Sequence, residues 1–210
     1  MLAFPSLPSW LLLAPCPQEV ADAPPPAIQE EAWEISIGSY ALDPPGEDAY
    51  LAPIVTADRG ALHLEARYNY EELDAGSVFV GRNFSFGDEL SLDLTPIFGV
   101  VAGPVTGVAP GLELEVAWKG LALYAETEYV IDLEQRADDF LYTWSELTFA
   151  PTDWGRFGLV GQRTRVFDQE LEVDRGLLVG VTFGGFWLDL YLFNPDGDEP
   201  YAGGSVGVGF

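Results

Sequence analysis

From Trp33 to Phe210 the chain repeats one pattern: short segments in which every second residue is apolar and the intervening ones are charged, hydroxylic or small. Leu62, Leu64, Ala66, Tyr68 and Tyr70 fall on one parity, and His63, Glu65, Arg67 and Asn69 on the other. Leu112, Leu114, Val116 and Trp118 oppose Glu113, Glu115 and Ala117, while Leu121, Leu123, Ala125, Thr127 and Tyr129 oppose Tyr124, Glu126 and Glu128. A period of two is the side-chain period of an extended strand. Asp58-Arg-Gly60, Phe86-Gly-Asp88, Lys119-Gly120 and Gly184-Gly185 are tight-turn signals between such segments. The pattern predicts about twelve antiparallel strands of membrane-spanning length, the fourth running over Ser77 to Ser85.

The polarity of the two faces decides what these strands build. One face is uniformly Leu, Val, Phe or Trp; the other carries Glu, Asp, Arg, His and Tyr. In a soluble sandwich or small barrel the apolar face points inward, and about twelve strands enclose more space than apolar side chains fill. Turning the barrel inside out puts the apolar face in lipid and the charges in a wet lumen. The expected fold is all-β, a single antiparallel up-and-down transmembrane barrel over residues 33–210. The joins alternate between long acidic loops and short turns, as expected when one barrel end faces the periplasm and the other the outside.

Composition removes the competing classes. The 210 residues carry a net charge of −25, which excludes a nucleic-acid-binding surface. Such acidity would suit a disordered chain, but six Trp, nine Tyr and thirteen Phe do not. Cysteine is absent after Cys16, so neither a disulfide framework nor a thiolate metal site is expected. The amino terminus has an apolar run, Met1-Leu-Ala-Phe-Pro-Ser-Leu-Pro-Ser-Trp-Leu-Leu-Leu-Ala14, of signal-peptide length and too short to span a bilayer. A signal peptide is expected over residues 1–23 and a Pro-rich periplasmic linker over 24–32.

The closing segment, Tyr201 to Phe210, sets Val206, Val208 and Phe210 against Gly203, Ser205, Gly207 and Gly209. A strand ending on an aromatic residue resembles the last strand of bacterial outer-membrane β-barrels, where this pattern is read by the barrel-assembly machinery. Ala109-Pro-Gly-Leu-Glu-Leu, Trp144-Ser-Glu-Leu-Thr-Phe and Gly158-Leu-Val-Gly-Gln-Arg-Thr also resemble segments of small uncharacterised outer-membrane barrels. The resemblance implies location in the bacterial outer membrane and a porin-like role. It implies no ligand.

The lumen is expected to be acidic, lined by Glu65, Arg67, Glu113, Glu115, Glu126, Glu128, Glu146 and Asp189, with Glu34, Glu89, Asp93, Glu172 and Asp174 on the same parity. Carboxylates lining a pore raise local cation concentration, so the function expected is passive diffusion of small cations or neutral solutes. The alternative is a non-conducting structural or adhesive barrel closed by its own side chains. Glu113, Glu115, Glu126 and Glu128 flank one hairpin turn and are expected to dominate selectivity. Tyr124, Tyr142, Trp144, Trp187 and Tyr191 share the inward parity. Arg163 and Arg165 fall on the parity of Phe157 and Leu159, which places them in lipid, at an outer rim or inward through a bulge.

No catalytic residue, cofactor or metal is expected. His63 is the one histidine, and a single imidazole is a poor basis for a metal site. Outer-membrane phospholipases pair His with Ser on the lipid side, whereas His63 is on the polar parity. The acidic loops, with Asp43, Glu47, Asp48, Glu71, Glu72, Asp74, Asp132, Glu134, Asp138, Asp139, Asp196, Asp198 and Glu199, suit divalent cations that bridge to lipopolysaccharide. Expected partners are thus outer-membrane lipid and lipopolysaccharide, the assembly machinery and small solutes.

Overall fold

The structure, a computed structural model, describes residues 31–46, 48–134, 139–166, 172–197 and 199–210. The leader and most of the linker expected from the sequence, like Glu47, Asp138 and Asp198, lie outside the described residues. The strands are β1 (Glu34–Leu42), β2 (Tyr50–Arg59), β3 (Leu62–Tyr68), β4 (Gly76–Arg82), β5 (Phe84–Phe86), β6 (Leu90–Ala102) and β7 (Gly107–Trp118). They continue with β8 (Leu121–Asp132), β9 (Phe140–Thr152), β10 (Gly155–Val166), β11 (Glu172–Phe183), β12 (Phe186–Phe193) and β13 (Tyr201–Gly209).

All pairings are antiparallel. β4 and β5 both pair with β6 in one continuous register, Gly81 opposite Ile97 and Phe84 opposite Leu94, so they are one strand interrupted at Asn83. The interruption has a local cause. The Asn83 N–H donates to the Ala61 carbonyl at 2.9 Å, while its side chain accepts from Thr95 at 2.8 Å and donates to Asp58 at 2.6 Å. β1 pairs with β13, Ile37 opposite Val208, so the sheet closes as a twelve-stranded barrel. The closure extends to Phe210, whose N–H donates to the Ile35 carbonyl at 2.9 Å while its carbonyl accepts from the Ile35 N–H at 2.8 Å. The start of β1 and the end of β13 lie at the end of the barrel where the joins are short.

The barrel is inside out relative to a soluble protein. Val78, Val80, Phe98, Val100, Leu177, Val179, Leu188 and Leu190 are exposed on its outer wall, and His63, Glu65, Arg67, Glu126, Glu128, Glu146 and Asp189 are buried within. Phe84, Phe86, Trp118, Phe149, Trp154, Phe157, Phe183 and Phe186 are exposed around the short-turn end, an aromatic girdle of the kind that marks a bilayer interface. Aromatic rings fill part of the interior: Trp144, Tyr191, Phe193 and Tyr201 form one buried cluster with Leu42, Val160 and Leu178. A second cluster joins Phe79, Ile97, Val101, Val130 and Phe140.

One expectation on parity fails. Tyr70, placed by alternation with Tyr68 on the outer face, turns into the barrel. Asn69 takes a left-handed backbone (φ 56°), which breaks the alternation, and its side chain fixes the turn by donating to the Leu51 carbonyl at 3.0 Å and accepting from the Asp74 N–H at 2.8 Å. Asn is among the few residues that adopt this conformation at low cost.

Candidate functional site

The middle of the lumen is organised around Arg67 on β3. Its side chain is fully buried and grips Glu65, two residues away on the same face, with two parallel bonds: Nε to Oε1 at 2.7 Å and a terminal nitrogen to Oε2 at 2.9 Å. The other terminal nitrogen meets Glu126, at 2.7 Å, and Glu128, both on β8. Glu71, in the β3–β4 loop, and Glu113, on β7, lie at 3.7 and 3.8 Å. The guanidinium also lies over the rings of Tyr70 and Phe79, with Cζ 4.5 Å from each centroid. Only Arg offers enough donors in a planar fork to hold several carboxylates and still stack on aromatic faces. Five carboxylates around one cation leave a surplus of negative charge. Glu71 Oε2 and Glu128 Oε2 are buried without a hydrogen-bond partner in the structure.

A second ionic group stands nearer the short-turn end. Arg156 Nε donates to Asp189 Oδ1 at 2.9 Å, its terminal nitrogen lies 2.9 Å from Oδ2, and the same nitrogen is 3.3 Å from Glu146. Ser205 donates to Asp189 at 3.0 Å, and Tyr191 and Trp144 donate to Glu146 at 3.0 and 3.1 Å. Arg156 is absent from the residues picked out by sequence. Its signal was available, since it is on the opposite parity from Phe157 and Leu159.

Aromatic side chains complete a layer across the lumen with the Arg67 group. The Tyr40 ring lies 5.3 Å from Trp144 and 6.3 Å from Tyr70, Tyr70 lies 5.5 Å from Tyr142, and Trp144 lies 5.4 Å from Tyr191. Tyr70 and Tyr124 both donate to Glu126 Oε2, at 3.2 and 3.1 Å, and so tie the aromatic layer to the ionic one. On the short-turn side of this layer is a cavity of about 920 Å³, lined by Glu34, Asp58, His63, Glu65, Asp93, Glu113, Glu115 and Glu126 among others. On the loop side is a smaller one of about 270 Å³, lined by Tyr50, Tyr70, Glu71, Tyr142, Asp174 and Tyr201. A third cavity, of only about 20 Å³, is lined by Tyr40, Tyr70, Tyr142 and Trp144 among others.

The structure places Glu65, Arg67, Glu113, Glu115, Glu126, Glu128, Glu146 and Asp189 on the inner wall, but it divides them. Glu65, Arg67, Glu113, Glu126 and Glu128 meet in one group, and Glu146 and Asp189 in the other. Glu115 stands apart, exposed in the large cavity. Tyr124, Tyr142, Trp144, Trp187 and Tyr191 also point inward. Glu34 and Glu89 are exposed at the short-turn rim, and Asp174 accepts from Asn194 and Tyr201 near the loop end. Arg163 is exposed on the outer wall near the loop end of β10, opposite Thr143 and Val173. Arg175 is likewise outside, where it pairs with Asp196 at 2.7 Å. The side chains of Arg165 and Glu172 lie outside the described residues.

No protein-family model matches the chain, and no curated protein matches it. Among solved structures it is similar to the KdgM porin, with 8% sequence identity and a TM-score of 0.57 over 84% of this chain and 99% of that one. The KdgM porin in complex with disordered oligogalacturonate matches with 7% identity, a TM-score of 0.57 and the same coverage. At such identities the likeness is one of fold: the chain is a small, closed, porin-like β-barrel.

Proposed function

We propose that this barrel is a passive channel of the bacterial outer membrane for small cations or neutral solutes, narrowed at mid-height by the Tyr70–Arg67 layer. The observation that carries the reading is the acid-lined cavity of about 920 Å³, whose lining includes rim residues such as Glu34 and which narrows onto that layer. Within it Glu113, Glu115, Asp93 and Asp58 face the space, while Arg67 is already shared among five carboxylates. Walls of one sign bounded by low-dielectric material focus the field and concentrate counter-ions. The outer wall of exposed Leu, Val and Phe supports residence in a bilayer, and the barrel topology supports the outer membrane. The arrangement calls for no covalent chemistry.

KdgM's crystallised ligand, an oligogalacturonate, bears carboxylates that this acidic wall would repel. Anionic oligosaccharides are therefore poor candidates here. A second reading, a non-conducting structural barrel, draws on the same layer, because the cavity beside Tyr40, Tyr70, Tyr142 and Trp144 is only about 20 Å³. Conductance of the purified, folded protein in a planar bilayer tests the proposal. Steps with cation-selective reversal potentials in a salt gradient are expected. Silence at several hundred millivolts from folded protein would favour the second reading.

A further inference from the structure

In the large cavity, His63 sits in a hydrogen-bonded relay that orients its ring. Thr95 donates to Asn83 Oδ1 at 2.8 Å, so the Asn83 amide nitrogen is the end that faces Asp58, to which it donates at 2.6 Å. The same Asp58 oxygen lies 2.8 Å from His63 Nδ1. An ionised carboxylate is acceptor only, so Nδ1 donates to Asp58, and Nε2 is the nitrogen left to bind a ligand once it is deprotonated. Nε2 faces Glu65 Oε2 at 3.5 Å, a carboxylate held in place by Arg67. A ring nitrogen and a carboxylate aimed at each other in a buried site mark a place for one positive charge between them, a proton or a metal ion. His63 is 5% exposed. Glu113 completes the arrangement from β7: one ligand atom each from His63, Glu65 and Glu113 lie within 4.8 Å of one another.

We infer that His63, Glu65 and Glu113 form a binding site for a divalent transition-metal ion, Zn²⁺ being the best match, inside the lumen. One imidazole nitrogen with two carboxylates is a donor set for a borderline ion; Mg²⁺ and Ca²⁺ take oxygen alone. Asp58 supplies the outer carboxylate that metal-binding histidines use to hold tautomer and ring orientation. The three donors line the 920 Å³ cavity, which provides the path of entry and room for a water or solute in a fourth position. Binding does not depend on conduction, since a silent barrel would hold the ion equally well.

The test uses the full-length, untagged protein folded in detergent and stripped of metal. His63 is the single histidine of the chain, so one ¹⁵N-labelled imidazole reports the site alone. Zinc added in an excess of Mg²⁺ is expected to bind at one equivalent, shifting the Nε2 resonance while Nδ1 stays protonated. His63→Gln and Glu113→Gln should each weaken calorimetric binding by at least tenfold, and Asp58→Asn by about 10–100-fold. An imidazole that is doubly protonated and unmoved by zinc would overturn the inference, as would binding that Mg²⁺ abolishes or that both ligand variants leave intact. If a variant does not fold, the wild-type imidazole spectrum still decides.

Discussion

The Tyr70 ring lies face-on to the Arg67 guanidinium, 4.5 Å from Cζ, and its hydroxyl donates to Glu126, one of the carboxylates that the same guanidinium holds. A loop residue and a strand residue thus share one partner on the opposite wall. This makes the β3–β4 loop part of the constriction, and it makes the constriction separable from the barrel by mutation.

Tyr70→Ala should widen the passage. The ring reaches the lumen from a loop turn held by Asn69 hydrogen bonds, so its removal opens space without touching a strand pairing. A severalfold rise in single-channel conductance is expected, with the folded-state gel mobility unchanged.

Arg67→Met should act on stability. It leaves Glu65, Glu71, Glu113, Glu126 and Glu128 without their shared cation in a buried site. Removing one partner of a buried ion pair costs about 3–5 kcal/mol. The denaturant midpoint in detergent micelles should fall accordingly.

The four glutamates flanking the Lys119-Gly120 turn should not behave alike. Glu115 is exposed in the cavity, whereas Glu126 and Glu128 are buried against Arg67. Glu115→Gln is expected to reduce cation preference in reversal-potential measurements, and the more so at low salt, where screening is weak. Glu128→Gln should change unfolding more than selectivity.

Gly99→Ala should distort the wall behind the constriction. A methyl group there would lie 2.4 Å from the Phe79 ring, which is itself stacked on Arg67. Overpacking of this kind costs about 1–3 kcal/mol, and it should lower the temperature of heat-modifiable unfolding.

On the loop side, the Arg175 guanidinium holds the Asp196 carboxyl below its ordinary value by donating a direct hydrogen bond to it. A carboxyl lowered in the folded state contributes its stability fully above the unfolded value and loses it as pH falls through the folded one. Both groups are exposed, so the contribution is small. An NMR titration should place Asp196 below an ordinary aspartate, and Arg175→Gln should restore it.

The inward parity of Glu65, Arg67, Glu113 and Glu126 was legible in the sequence because strands alternate strictly and one face is uniformly apolar. Which of these residues would meet was not. Arg67 and Glu128 are far apart in sequence and come from β3 and β8, so their contact depends on how the closed barrel brings its walls together. The same holds for His63 and Glu113, which meet across β4 and β6; a lone histidine in the sequence gave no hint of two carboxylates around it. The inward turn of Tyr70 had a local sign in Asn69, a residue suited to left-handed backbone, but strict alternation outweighed it. The break at Asn83 had none, since its side chain bonds to Asp58 on β2 and Thr95 on β6, both distant in sequence.

The seam between β1 and β13 joins segments that are nearly the whole described chain apart, whereas the other neighbours in the barrel are close in sequence. Contacts of such long range are slow to find, so the hairpins can form well before the seam does. Until then the sheet has two long edges with unpaired N–H and C=O groups, which neither lipid nor a neighbouring sheet tolerates harmlessly. A lesion at Gly207, where an added methyl would lie 2.1 Å from the Trp187 ring beside the seam, would therefore strike the last step of assembly. Its product would be a sheet correctly paired elsewhere, with adhesive edges, rather than an unfolded chain.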